Sequence, residues 1–229
     1  MIIAIDGPSG AGKSTLGKML AKKLNLLYLD TGAMYRAVAL AVLQAGETIE
    51  DEKAVEIAKH SKIELVGEPD SLQIKLNGQD VSGEIRTNEV SQIASIVSSV
   101  SEVRKILVEH QRMLGEFAPN GCVLDGRDIG TVVFPNADIK FFLTAKPEAR
   151  ARRRFEEDVQ RGRISTYEET LAEINQRDKR DISREDSPLS IAEDAIVIDT
   201  SELNLREVYE QMLEEIKVKS DEGRGTRDK

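Results

Sequence analysis

Short apolar runs and longer amphipathic stretches alternate along this chain. Residues 2–6 are apolar up to a closing acid, and a glycine follows. Residues 16–24 then carry apolar positions at helical spacing. The pairing recurs with a short run at 26–29 and a helical pattern at 33–43. Runs at 122–125, 139–144 and 195–199 bring the predicted strands to five. Each is short and mostly apolar, as a strand covered on both faces should be. Long amphipathic segments separate them. This alternation predicts an α/β fold with a parallel sheet between helices, whose ligands sit beyond the carboxyl ends of the strands.

One segment breaks the pattern. In residues 63–81, Leu72, Ile74 and Leu76 alternate with polar positions, and Gly67-Glu68-Pro69-Asp70 and Asn77-Gly78 are turn signals. A small antiparallel unit inserted in the α/β core is expected there. Residues 220–229 contain no apolar side chain and read as a disordered tail. No internal repeat is present.

Composition narrows the picture. The 229 residues carry a formal charge of −9 and 32% charged residues, an ordinary globular balance with no general basic face for nucleic acid. No apolar run approaches the roughly 20 residues that span a bilayer, and the opening MIIAIDG lacks the flanks of a signal peptide. A single cysteine, Cys122, allows no internal disulfide and suits the reducing cytoplasm. The arginines are unevenly spread: nine of 17 fall between Arg150 and Arg184.

The sharpest signal is Gly7-Pro8-Ser9-Gly10-Ala11-Gly12-Lys13-Ser14, which fits G-x-x-x-x-G-K-[ST] between a strand and a helix. Its backbone N–H groups and the helix N-terminus suit phosphate. Lys13 should reach the β- and γ-phosphates, and Ser14 should ligate Mg²⁺. No asparagine is followed by lysine, so the guanine-reading Asn-Lys-x-Asp of GTP switches is absent. A small chain with an arginine-rich second half points instead to phosphoryl transfer onto a small phosphorylated acceptor, because guanidinium forks match phosphate oxygens.

Asp125 ends an apolar strand, where it either helps hold the Mg²⁺ shell or caps a turn. Arg127 and Asp128 follow at the ligand edge of the sheet; they divide cation and acceptor work there or form a plain surface ion pair. Thr31 and Arg36, after the second strand, either contact phosphate or serve as a helix cap and a solvated cation. Arg177, Asp181 and Arg184 are spaced by four and three, on one helical face, which suits either a ligand surface or a salt-bridged one.

Taken together, these segments resemble the bacterial cytidylate kinases, from about residue 1 to residue 217. The resemblance rests on IDGPSGAGKST, LDTGAMYRA, VSGEIRTNEV, LDGRDIGTVVFP and INQRDKRDISRE. The first is generic to P-loop proteins; GEIRTNEV and DGRDIGTVVFP are far more specific. The resemblance implies a three-layer P-loop kinase with a five-stranded parallel sheet. It implies a core of residues 1–30, 119–148 and 166–219. A monophosphate-binding arm would span 31–118, with its β insert near 62–84, and a short lid would span 149–165. The reaction implied is transfer of the ATP γ-phosphate to CMP or dCMP.

Residue roles follow from the same resemblance. ATP would be held by Gly7, Pro8, Ser9, Gly10, Ala11, Gly12, Lys13, Ser14 and Thr15. Mg²⁺ would sit on Ser14 and, through water, Asp125. Thr31, Arg36 and Arg127 would contact the CMP phosphate; Ser95, Arg104 and Asp128 would read cytosine; Asp181 would take the pentose hydroxyls, with Arg177 and Arg184 on phosphate or nucleotide. Residues 150–154 would hinge the lid, with Gly162 allowing its turn. Arg153 and Arg154 there would join Lys13, Arg127 and Asp128 in catalysis. The enzyme is expected to be a cytoplasmic monomer that binds neither nucleic acid nor membrane. Kinases for UMP or shikimate, and a non-catalytic nucleotide-binding regulator, remain as alternatives. Cys122 reads as a buried small hydrophobe, and His60 and His110 as exposed helix residues rather than catalysts.

Overall fold

A computed structural model describes residues 1–46, 50–160 and 162–225. Its main sheet has five parallel strands in the order β2-β6-β1-β7-β8. These are β1 (Ile2–Asp6), β2 (Leu27–Asp30), β6 (Cys122–Asp125), β7 (Ile139–Thr144) and β8 (Ile196–Asp199). Central β1 is flanked by β6 and β7 in parallel register, Ile3 opposite Val123 and Ile139. Apolar clusters cover both faces. Ile3, Ile5, Val123, Phe141 and Leu143 pack on one side with α1 (Lys13–Leu24) and α8 (Leu205–Gly225). Ala4, Leu29, Cys122, Leu124 and Val133 pack on the other.

Cys122 is fully buried in this second cluster, where burial pushes its thiol up to about 11. Edge strand β8 departs from the expected two-sided cover: Val197 is 51% exposed. The strand at 26–29 is shifted by one residue and ends on Asp30, whose carboxylate accepts from Ala33 N at 2.8 Å. Asp30, not Thr31, therefore caps α2 (Thr31–Gln44).

Between β2 and β6 the chain builds a body with its own core. It comprises α2, α3 (Asp51–His60), α4 (Asn88–Val97), α5 (Ser101–Glu116) and a three-stranded antiparallel sheet. The sheet joins β3 (Ile63–Val66), β4 (Gln73–Leu76) and β5 (Gln79–Asp80). Asn77 (φ 51°) and Gly78 (φ 86°) both adopt the left-handed conformation at its tight turn, as the Asn-Gly pair predicts. Met34, Val38, Ile74, Val90, Val103 and Leu107 fill this second core.

Two late helices complete the fold, α6 (Pro147–Gln160) and α7 (Tyr167–Ser183). Gly162, at φ 70°, turns the chain between them. Residues 220–225 of the tail expected to be disordered continue helix α8; residues 226–229 lie outside the described residues. A growing helix adds one hydrogen bond per residue fixed, so it can run on without an apolar face. Among the described residues no helix is long and apolar enough to cross a membrane.

Candidate active site

A crevice of about 900 Å³ opens at the carboxyl ends of the sheet strands and is lined from the loop at 9–15, α2, α4, α5, the turn after β6, α6 and α7. At one end stands the glycine-rich loop. Gly7 (φ 141°) opens it, and a Cβ there would lie 2.0 Å from Leu143 O, so no side chain fits. Lys13 is buried and donates to Pro8 O at 2.8 Å. Burial, and then the nearby Arg127 guanidinium, pull its ammonium well below the usual lysine range. An incoming anion would relieve that.

Ser14 Oγ donates to Asp125 Oδ2 at 2.7 Å, and Tyr28 Oη donates to Asp125 Oδ1 at 2.8 Å. The serine and the acid predicted from loop and strand thus meet a third group, Tyr28, that sequence reasoning missed. Burial raises Asp125, with Asp30 adding to it against the pull of Lys13. No cluster of three or more His, Cys, Asp or Glu side chains able to hold a metal occurs among the described residues. Ser14 and Asp125 offer one hydroxyl and one carboxylate side by side. That donor set suits Mg²⁺, which fills most of its shell with water and phosphate oxygen.

The other end is built from cations and their carboxylates. Arg36 pairs with Asp30 at 3.0 Å, and Thr31 Oγ1 donates to Asp125 O at 2.7 Å. Arg127 Nε pairs with Asp181 Oδ2 at 2.7 Å. Burial pushes Asp181 up, but Arg127, Arg177 and Arg184 outweigh it and hold the carboxyl below its usual range. Arg177 Nε has no hydrogen-bond partner among the described residues. Burial, and then Arg127, bring Arg177 down to about 9. Arg184 lies just past the end of α7, its Nη2 3.9 Å from Asp181 Oδ1. The predicted face of Arg177, Asp181 and Arg184 therefore does turn into the crevice.

Asp128 and Arg104 are both buried and form an ion pair. Arg104 also donates to Ser98 O at 3.1 Å and lies 5.4 Å over the Tyr35 ring. Ser95 lines the same pocket, its buried hydroxyl lacking a partner among the described residues.

The arginines of α6 do not act as one cluster. Arg150 is 2% exposed and turns inward, donating to Ala145 O, to Ser9 O at 3.0 Å and to Asp178. It braces the glycine-rich loop through Ser9 O. Arg152 is exposed. Arg153 and Arg154 do line the crevice; Arg153 holds Thr200, and Arg154 contacts Asp158 and Asn88. Arg86 and Arg180 also line it, though neither was singled out from sequence. Arg180 lies three residues past Arg177, a spacing that would have flagged it. His60 is exposed and His110 half-buried, and neither lines the crevice.

In the sequence Asp6 marks only the end of an apolar strand. It is buried, and its carboxylate accepts from Ile129 N at 2.8 Å and Gly130 N at 2.7 Å. Burial raises it from an ordinary 3.8 to about 6 despite these two bonds. Its partners open a wide helical turn (Ile129–Val133) in which Val133 N and Phe134 N reach back five residues, to Asp128 O and Ile129 O. Nothing in the local sequence signals that turn.

A phosphate-binding loop facing paired arginines and aspartates across one crevice defines a P-loop kinase. The chain matches the family model described as Cytidylate kinase over residues 3–218. Among curated relatives, it is 53% identical to the cytidylate kinase of Caldanaerobacter subterraneus subsp. tengcongensis, over 94% of each chain. It is 47% identical to that of a Geobacter species, over 97% of this chain and 95% of the relative. With the Bacillus subtilis enzyme it shares 48% identity, over 95% of this chain and 97% of the relative. The chain belongs to the cytidylate kinase family.

Proposed function

We propose that this enzyme transfers the γ-phosphate of ATP to the phosphate of CMP or dCMP, in line and without a covalent intermediate. The observation that carries the reading is the buried Arg104–Asp128 pair beside the unpartnered Ser95 hydroxyl, in the crevice that also holds Lys13. Cytosine presents an amino donor beside ring acceptors, which complements a carboxylate with a guanidinium and a hydroxyl. Uracil places O4 where cytosine has its amino group, so the Asp128 carboxylate would meet a second acceptor.

In this reading residues 7–15 hold the ATP phosphates, and Lys13, Arg153 and Arg154 stabilise charge on the group in flight. Ser14 and Asp125 would hold Mg²⁺, which supplies charge neutralisation between the phosphates. Thr31, Arg36 and Arg127 receive the CMP phosphate. Thr31 must rotate its hydroxyl from Asp125 O to donate there. Asp181 takes the pentose hydroxyls, with Arg177 and Arg184 beside it. The acceptor oxygen is already anionic, so alignment and water exclusion matter more than a strong base. Movement of residues 31–118 and 149–165 over the crevice would provide that exclusion.

ADP release measured with CMP, dCMP, UMP, AMP and shikimate as acceptors tests the proposal. Highest kcat/KM with CMP or dCMP is expected; a preference for UMP or shikimate would overturn it.

A further inference from the structure

We propose that Asp6 and Arg112 are positioning residues for base choice, clamping the turn after Asp128 at its two ends. This rests on the reading that Asp128 recognises the base. Asp6 ends β1 and is joined by one peptide bond to Gly7, where the phosphate-binding loop begins. Its two carboxylate oxygens each take one amide of the turn, Ile129 N and Gly130 N. Arg112 approaches from α5. It donates to Val133 O through Nε at 2.9 Å and to Val132 O through Nη2 at 2.7 Å. One turn thus has its leading amides held by an anion and its trailing carbonyls held by a cation.

The geometry ties three things together. Asp128 immediately precedes the clamped amides, and its own carbonyl accepts from Val132 N and Val133 N. Arg104, its ion-pair partner, lies on α5 two turns before Arg112. The backbone of Asp128 is therefore fixed both to the strand feeding the phosphate-binding loop and to the helix that presents Arg104. A buried carboxylate is costly unless its acceptors are filled, and here two backbone donors fill them. Lys140 secures the far end of the same loop, donating to Pro135 O at 2.6 Å. That contact lies seven residues from Asp128 and should matter less to it. A displacement of the Asp128 carboxylate by a fraction of an ångström would degrade its bond to the amino group. The phosphate-binding loop would stay formed, because Gly7 and Arg150 hold it independently.

The test compares Asp6→Asn, Arg112→Met, Asp128→Asn and the Arg112→Met/Asp128→Asn double variant. The readouts are the CMP:UMP ratio of kcat/KM, KM for ATP and the melting temperature. Asp6→Asn turns a donor toward one of the two amides and should lower the ratio about tenfold. Arg112→Met should lower it roughly threefold, since that side chain is more exposed. KM for ATP should stay within about twofold in both, which a general loosening of the site would not allow. In the Asp128→Asn background Arg112→Met should change the ratio no further, because its effect passes through the missing carboxylate. If Asp6→Asn does not fold, Arg112→Met and the double variant decide the matter, because Arg112 lies on the surface. Ratios within twofold of the parent for the clamp variants, while Asp128→Asn lowers its own, would overturn the clamp alone. An equal effect of Arg112→Met in both backgrounds would also overturn it. An unchanged ratio in Asp128→Asn would remove the base-reading role and the clamp with it.

Discussion

The two ends of the crevice are built by opposite means. The phosphate-binding end is one contiguous loop, residues 7–15, whose chemistry lies in backbone amides and a single buried ammonium bonded to a carbonyl. The arginine end gathers side chains from α2, α5, α7 and the turn after β6, and it pairs cations with carboxylates: Arg36 with Asp30, Arg104 with Asp128, Arg127 with Asp181. Their acids differ accordingly. Asp6 and Asp125, at the loop end, are pushed up by burial. At the arginine end burial also acts on Asp30 and Asp181, but neighbouring arginines outweigh it and hold both down. Charge at the first end waits for an anion. Charge at the second is matched in three ion pairs, with Arg177 left over, so a ligand there exchanges partners and also meets a cation in excess.

Removing the ammonium should break the first end most sharply. Lys13→Ala should lower kcat by about 10²–10³, the loss of one preorganised donor worth roughly 3–4 kcal/mol. Its melting temperature should not fall, since the lost group was a strained buried cation. A folded variant retaining a third of the parent kcat would refute the role given to Lys13.

At the second end the larger effect should fall on stability. Asp181→Asn strips the counter-charge from Arg127, Arg177 and Arg184, and breaking such a buried pair costs about 3 kcal/mol. Urea unfolding should register that loss, and added inorganic phosphate should recover part of it by taking the freed cations. A loss that phosphate leaves untouched would mean that these arginines do not face the ligand space.

Base choice is subtler. Asp128→Asn should reduce the CMP:UMP ratio of kcat/KM roughly tenfold, because the amide can donate to uracil O4 where a carboxylate cannot. An unchanged ratio would transfer the selectivity to Ser95 and Arg104.

The smallest expected effect is a pH slope. Asp6 titrates near 6 in the folded chain against an ordinary 3.8, so between these values the folded state holds more protons than the unfolded one. Its contribution to stability is therefore present below pH 3.8 and lost as pH rises through about 6. Asp181, held low, acts in the reverse sense: its contribution is present above the ordinary carboxylate value and lost only in stronger acid. The melting temperature of Asp6→Asn, minus that of the parent, should thus rise from pH 4 to pH 7. A flat difference would show that Asp6 is not strained by burial.

The same contrast governs how much the sequence disclosed. Residues 7–15 are contiguous, and their spacing alone implies the loop, its helix and the role of Lys13. The five strands were visible as apolar runs, and the inserted sheet as an alternation ending in Asn-Gly. The arginine end was recognisable as a set of candidates, but its pairings were not, because Arg127 meets Asp181 across 54 residues. The inward turn of Arg150 was hidden for the same reason: its partner Ser9 lies 141 residues away, and only folding brings the two together. The Asp6–Arg112 clamp acts on backbone atoms, which no side-chain motif reports. The continuation of α8 through residues 220–225 is invisible in the sequence because a polar composition does not stop a helix already under way.

The exposed edge of the sheet bears on how the molecule behaves in a crowd. Among the described residues strand β8 pairs with a strand on one side only, β7, and its other side is the usual template for joining sheets between molecules. Here the template is only four residues long, and exposed Glu193 and Asp199 bracket it. Two copies meeting edge to edge in antiparallel register would bring these acids toward one another, on chains that already carry a charge of −9. Short and flanked by like charges, this edge is a poor template for pairing with the same edge of a second molecule.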